Sequence, residues 1–90
     1  MNEPGAPGLR VDRLLVYLRF ARTRSAARVM IEGRSLRRNR KHVQRVSEIV
    51  TIGDVLTVAI GDEIRVVEII ALPSRRASPA LAKTFYRDRS

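Results

Sequence analysis

An α+β fold is what these 90 residues predict, on three observations. Apolar residues recur at helical spacing through the first third, whereas the second half turns to β-rich runs cut by Gly-Asp turns. The length suits one small domain, and a hydrophobic share of 44% is that of a folded chain. One core then takes most of the apolar residues, leaving no room for a large buried catalytic cleft.

Residues 1–8, with two Pro and two Gly, read as a flexible leader, and Met1 with this leader is read as the expected start of a complete chain. From Leu9 to Phe20, Val11, Leu14, Leu15 and Leu18 make one apolar stripe of a first helix. Arg13, Val16, Tyr17 and Phe20 lie on its other side, and Ala21-Arg22 is a short joint. Thr23 is placed to cap a second helix over Arg24 to Glu32, because its hydroxyl can accept from an unpaired amide. Gly33 is expected to supply the left-handed residue that ends it. Ala26, Ala27, Met30 and Ile31 face inward on this helix, while Arg24 and Arg28, four apart, share the outward face.

Val43 and Val46 lead into a strand at Ile49–Ile52. Gly53-Asp54 turns the chain, Val55–Ile60 is a second strand, and Gly61-Asp62 makes a hairpin to a third over Glu63–Leu72. Such a ribbon is marginal alone and must pack on the helices. Ser78-Pro79 is a cap followed by proline at the first helical position, opening a C-terminal helix expected to reach about Arg87.

Charge narrows the function. The chain carries 18 Lys and Arg against 9 Asp and Glu, a net +9, and 16 of the cations are Arg. Residues 10–45 alone carry +10, residues 46–72 carry −4 and residues 73–90 carry +4. A basic segment beside an acidic one makes a polarised molecule with a basic face. Arginine suits phosphates, since its planar fork donates two parallel hydrogen bonds. A taste for Arg over Lys explains the residue choice but not the clustering, so the expected partner is a polyanion.

Other chemistries lack their residues. There is no Cys, which excludes disulfides, Cys-ligated zinc and thiol catalysis, and one histidine, His42, builds neither a His-rich metal site nor a paired acid and base. The longest apolar run, Leu14 to Leu18, is far below the roughly 18 residues of a membrane span, and no secretory signal opens the chain. No nucleophile–base pair or Gly-rich phosphate loop is present. The expectation is a soluble cytoplasmic protein, a monomer, with neither cofactor nor catalytic residues.

The stretch Arg10-Val-Asp-Arg-Leu-Leu-Val-Tyr-Leu-Arg-Phe-Ala-Arg-Thr-Arg-Ser-Ala-Ala-Arg-Val-Met-Ile-Glu-Gly33 resembles the opening of an S4-type RNA-binding domain, the αL motif. Its most specific parts are Thr23-Arg-Ser-Ala-Ala-Arg28, Ile31-Glu-Gly33 and Ile52-Gly-Asp-Val55. The resemblance covers about residues 10–72, and with the following Arg75-Arg-Ala-Ser-Pro-Ala-Leu-Ala and Tyr86 the chain is similar to the ribosome-associated heat shock protein 15 family. It implies a two-helix unit on a small antiparallel sheet over residues 9–72, with a basic extension at 73–90. It also implies docking on structured RNA of the large ribosomal subunit, rRNA with tRNA as a further candidate, in the rescue or recycling of stalled nascent-chain complexes. The chain departs from the family pattern in having Leu15 and Tyr17 where many members carry Trp, and Arg38-Asn39-Arg40 in place of a turn containing glycine. Its short tail is nearer to the S4-type quality-control factors that assist C-terminal tailing.

Carried over residue by residue, Arg10, Arg13, Arg22, Thr23, Arg24, Ser25 and Arg28 line the RNA-facing surface. Arg34, Arg38, Asn39, Arg40 and Lys41 extend it past the second helix. Each candidate also has a plainer reading. Asp12 suits an ion-pair partner that orients arginines better than a catalytic acid, Glu32 pairs with Arg28, and Phe20 suits a core plug better than a base-stacking platform. His42 reads as a loop residue, and Arg75, Arg76, Lys83, Arg87 and Arg89 as either a second RNA contact or a solvated tail. Two other classes compete: an RNA-binding accessory to an RNA-modifying enzyme, and a DNA-binding helix pair, which the scarcity of Asn and Gln on the second helix disfavours.

Overall fold

The computed structural model describes residues Gly8–Ser90, so all of the expected leader except Gly8 lies outside the described residues. In chain order the elements are β1 (Gly8–Arg10), α1 (Val11–Tyr17), α2 (Arg24–Glu32), β2 (Leu36–Arg38) and β3 (Lys41–His42). Then follow β4 (Ile49–Thr51), β5 (Val55–Ile60), β6 (Glu63–Ile69), α3 (Pro79–Ala82), a 3-10 turn at Lys83–Phe85 and β7 (Tyr86–Asp88). The α+β architecture expected from the sequence is present.

The first helix is shorter than its apolar stripe. Leu9 sits in β1 opposite Val50 of β4, and the Val11 amide donates to the Glu48 carbonyl at 2.8 Å. Pairing with β4 thus holds Leu9 and Arg10, the start of the segment expected to be helical, extended. Helix α1 ends when Arg19 turns left-handed at φ 68, the Phe20 amide reaching the Leu15 carbonyl and the Arg19 amide that of Val16. Helix α2 ends in the same way one residue later than Gly33 suggests. Gly33 has φ −81, and Arg34 at φ 61 is the left-handed residue. The Ser35 amide donates to the Met30 carbonyl and the Arg34 amide to that of Ile31, closing the last turn. Gly33 is still useful as glycine, because a Cβ there would stand 3.1 Å from the Val29 carbonyl oxygen.

Five antiparallel strands form the main sheet in the order β3-β2-β5-β6-β7, while β1 and β4 pair separately. Residues 34–41, expected as a loop, instead provide strand β2 and the tight turn into β3. Leu36 is their single buried apolar residue, flanked by Ser35 and Arg37, so no alternation marks the strand. Leu36, Leu56, Val58, Val67 and Ile69 on the inner face close a single core with Val11, Leu14, Leu15, Leu18, Ala27 and Ile31 of the helices. Burying a leucine such as Leu14 contributes about 1.5–3 kcal/mol over leaving it exposed. Arg37, Thr57 and Val66, in register across β2, β5 and β6, lie on the face turned away from that core.

The tail returns to the sheet. Ser78 caps α3 through its hydroxyl, which accepts from the Leu81 amide at 3.3 Å, but the helix expected to reach Arg87 stops at Ala82. Tyr86 then pairs with Ile69 in β7 and packs its ring 5.4 Å from that of Phe20. Arg65 lies over both rings and bonds Asp88 at 3.0 Å, while Arg89 reaches Glu68 at 3.0 Å.

Candidate nucleic-acid interface

Helices α1 and α2 pack so that the first turn of each opens on the same hollow, lined by Arg10, Asp12, Arg24, Ser25, Arg28 and Val46. Thr23 starts α2, its hydroxyl accepting from the Ala26 amide at 3.0 Å. Arg24, Ser25 and Arg28 therefore project from the helix start, where unpaired amides favour an anion.

Asp12 is the centre of the arrangement. Its side chain is 4% exposed, yet it accepts from Arg10 Nε and Nη2 at 3.2 Å each, from Arg24 Nη2 at 3.0 Å and from the Arg13 amide at 2.8 Å. Burial raises its pKa, but the hydrogen bonds from Arg10, Arg24 and the Arg13 amide outweigh burial and hold the carboxyl below its ordinary range. The carboxylate fixes two guanidinium planes while the Arg10 and Arg24 side chains stay 38% and 51% exposed. Two cations share one anion, which leaves donors and net positive charge facing solvent.

The other sequence candidates divide. Arg13 and Arg22 are exposed, and neither forms a salt bridge among the described residues. Arg28 is exposed and pairs with Glu32 at 3.3 Å, the contact its spacing suggests. Arg34, Arg40 and Lys41 are exposed past α2, with Arg40 left-handed at φ 76.

Arg38 and Asn39 turn to a different task. Arg38 donates to Glu48 at 2.9 Å and to Asp54 at 3.2 Å, and Asn39 donates its amide to Asp54 at 2.9 Å while accepting from the Val55 amide at 2.8 Å. The structure thus uses both to tie the β2–β3 turn to the start of β5. Sequence reasoning took Asp54 as a turn residue only, and nothing in the spacing of Glu48 marks it as the partner of Arg38. The Arg37 and His42 side chains, absent from the sequence candidates, line a hollow together with Arg34 and Arg40.

With this geometry in place, comparison with known proteins identifies the lineage. The S4 domain profile matches residues 9–56, the span holding α1, α2 and the β2–β3 hairpin. The chain belongs to the S4 domain family. It is 35% identical over 80 residues to a heat shock protein 15 homolog of Haemophilus influenzae, covering 89% of this chain and 60% of that one. With heat shock protein 15 of Escherichia coli K12 it shares 33% over 88 residues, covering 98% and 65%. It therefore spans less than two thirds of the length of these curated relatives. Among solved structures, Vibrio cholerae heat shock protein 15, described as trimeric, superposes with a TM-score of 0.86 at 30% identity, covering 93% of this chain and 84% of that one. The S4-like, heat shock protein 15-like character read from the αL stretch is thereby shown, whereas that relative's trimer runs against the expected monomer.

Proposed function

We propose that this S4 family member is a non-catalytic RNA-binding module that docks on structured RNA of the large ribosomal subunit and acts on stalled nascent-chain complexes. The carrying observation is the buried Asp12 carboxylate holding Arg10 and Arg24 with their forks partly open to solvent beside Ser25 and Arg28. An RNA backbone supplies the complementary partner: paired phosphate oxygens accept from fixed guanidiniums, and shape rather than base identity selects the site. The likeness to heat shock protein 15 supports the RNA class, and the ribosomal assignment comes from the αL resemblance.

Sedimentation of the tagged protein through a sucrose gradient, before and after inducing translational stalling, tests the reading. Wild type is expected with free large subunits, enriched by stalling, and Arg24→Gln/Arg28→Gln is expected near the top. Wild type remaining at the top at low salt would remove the ribosome from the proposal. Competition by duplex DNA stronger than by structured RNA would favour the DNA-binding alternative. A sedimentation equilibrium run on the protein alone asks whether the trimer of the Vibrio cholerae relative extends to this chain.

A further inference from the structure

We propose that the hollow between the end of α2 and the β2–β3 hairpin is a second phosphate site, which takes the backbone of an RNA segment separate from the one held at Arg10 and Arg24. This rests on the RNA-binding reading and extends it from one contact surface to two.

Arg34, Arg37, Arg40 and His42 line this hollow, with Thr57 and Ile64 as its floor on the outer sheet face. It shares no lining residue with the hollow at Asp12. Arg37 is directly opposite both His42 and Thr57 in the sheet register, on the face turned from the core and the helices. No carboxylate lines the hollow, and Arg34, Arg37 and Arg40 form no salt bridge among the described residues. Arg38, next along the same strand, is bonded to two carboxylates. One strand therefore presents a neutralised arginine inward and an uncompensated one outward, and the uncompensated set, exposed to solvent, has its donors open to an anion.

Two further observations fit a phosphate. Arg34 and Arg40 occupy left-handed conformations, at φ 61 and φ 76, where glycine is favoured. The chain carries a guanidinium at both positions despite that strain. The Nδ1 atom of His42 is buried without a hydrogen-bond partner. Burial, then the charges of Arg34 and Arg37, hold this imidazole below its ordinary range, so it is neutral in the free protein at pH 7. The groups facing it are Arg34 from the link after α2, Arg37 from β2, Arg40 from the turn, Thr57 and Ala59 from β5 and Ile64 from β6, none of them acidic. A phosphate between Arg34 and Arg37 offsets their repulsion of a charged imidazole, so His42 takes a proton from solvent more readily when the site is filled. Binding at this site is coupled to proton uptake and strengthens as pH falls.

Filter binding of the full chain to RNA extracted from large ribosomal subunits, across a salt series and at pH 7.5 and 6.0, tests this. Arg34→Gly/Arg40→Gly is expected to raise Tm, because it relieves both strained positions, while lowering affinity severalfold and cutting the slope of log K against log salt by about 1–2. Arg37→Gln should cut the slope by about 1. His42→Gln should remove the gain in affinity at pH 6.0. Arg45→Gln, which removes one charge outside both hollows, should weaken binding less than Arg37→Gln. The proposal is overturned if the hollow variants bind as wild type while Arg24→Gln is weakened, since RNA binding then uses one surface only. It is also overturned if Arg45→Gln loses as much as Arg37→Gln, which would mean diffuse attraction, or if the hollow variants change the protein's own sedimentation instead of its RNA affinity, which would make this face a contact between copies. Loss of nothing by Arg24→Gln as well would instead bring down the RNA reading itself.

Discussion

Asp12 and Asp54 are both buried, 3% and 8% exposed, and each holds arginine through its carboxylate. Around Asp12 two guanidiniums share one carboxylate, and both face a hollow. Around Asp54 the ratio reverses: Arg38 is divided between Glu48 and Asp54, while the Asn39 amide and the Thr51 backbone N–H also donate to Asp54. The first cluster keeps excess positive charge and open donors for a ligand. The second commits donors of Arg38, Asn39 and Thr51 to carboxylates within the fold and carries no excess positive charge. The same pair of residue types thus builds an open cationic cluster or a structural tie, and local stoichiometry decides which.

The comparison breaks most directly at Asp54. Asp54→Ala strands the donors of Arg38, Asn39 and Thr51, and should lower stability by about 2–4 kcal/mol in denaturant titrations. RNA affinity per folded molecule should stay near wild type. Next comes Asp12→Asn, which raises the net charge by one and on charge alone should strengthen binding. With Arg10 and Arg24 released, affinity should instead fall about tenfold, or about 1.4 kcal/mol. Glu32→Gln makes the same charge change outside the cluster and should leave affinity unchanged or slightly raised, while costing about 0.3–0.5 kcal/mol of stability. Equal affinities for Asp12→Asn and Glu32→Gln would mean that carboxylate orientation of the arginines is irrelevant.

Arginine substitutions sharpen the contrast. Arg24→Gln should reduce the salt slope of RNA binding by about 0.7–0.9, the contribution of one phosphate. Arg38→Gln should leave that slope alone and lower Tm. Arg65, which charge position alone would select as a neutral control, is unsuitable: it lies over Phe20 and Tyr86 and bonds Asp88, so reversing it should unfold the β6–β7 edge. The smallest effect is the acid dependence. Because the folded-state pKa of Asp12 is depressed, its stabilisation is present at neutral pH and is lost as pH falls below the ordinary aspartate value of 3.8 and through the folded value. Unfolding titrations should show Asp12→Asn losing part of the stability drop that wild type shows there.

Local signals were readable where one residue acts on its neighbours. Thr23 caps α2, Ser78 caps α3, Arg28 pairs with Glu32, and Gly61 turns the β5–β6 hairpin, each within four residues along the chain. Signals failed where partners are distant. Leu9 opens the segment expected as the first helix but pairs with Val50, and Leu36 is a single apolar residue between Ser35 and Arg37 whose strand exists because β5 lies beside it. Gly33 looked like the left-handed residue, yet the hydrogen bonds closing α2 put Arg34 there.

The candidate interface shows the same division. From the sequence alone come the α+β class, the helix pair, the clustering of arginine over residues 10–45 and the family resemblance, because periodicity, caps and charge are short-range properties of the chain. Which arginines face outward is a tertiary outcome. Arg24 lies 12 residues from Asp12, and Arg38 lies 10 from Glu48 and 16 from Asp54, distances that no local pattern spans. Folding brings those carboxylates to some guanidiniums and not to others, and the charge left over is what the proposed RNA would meet.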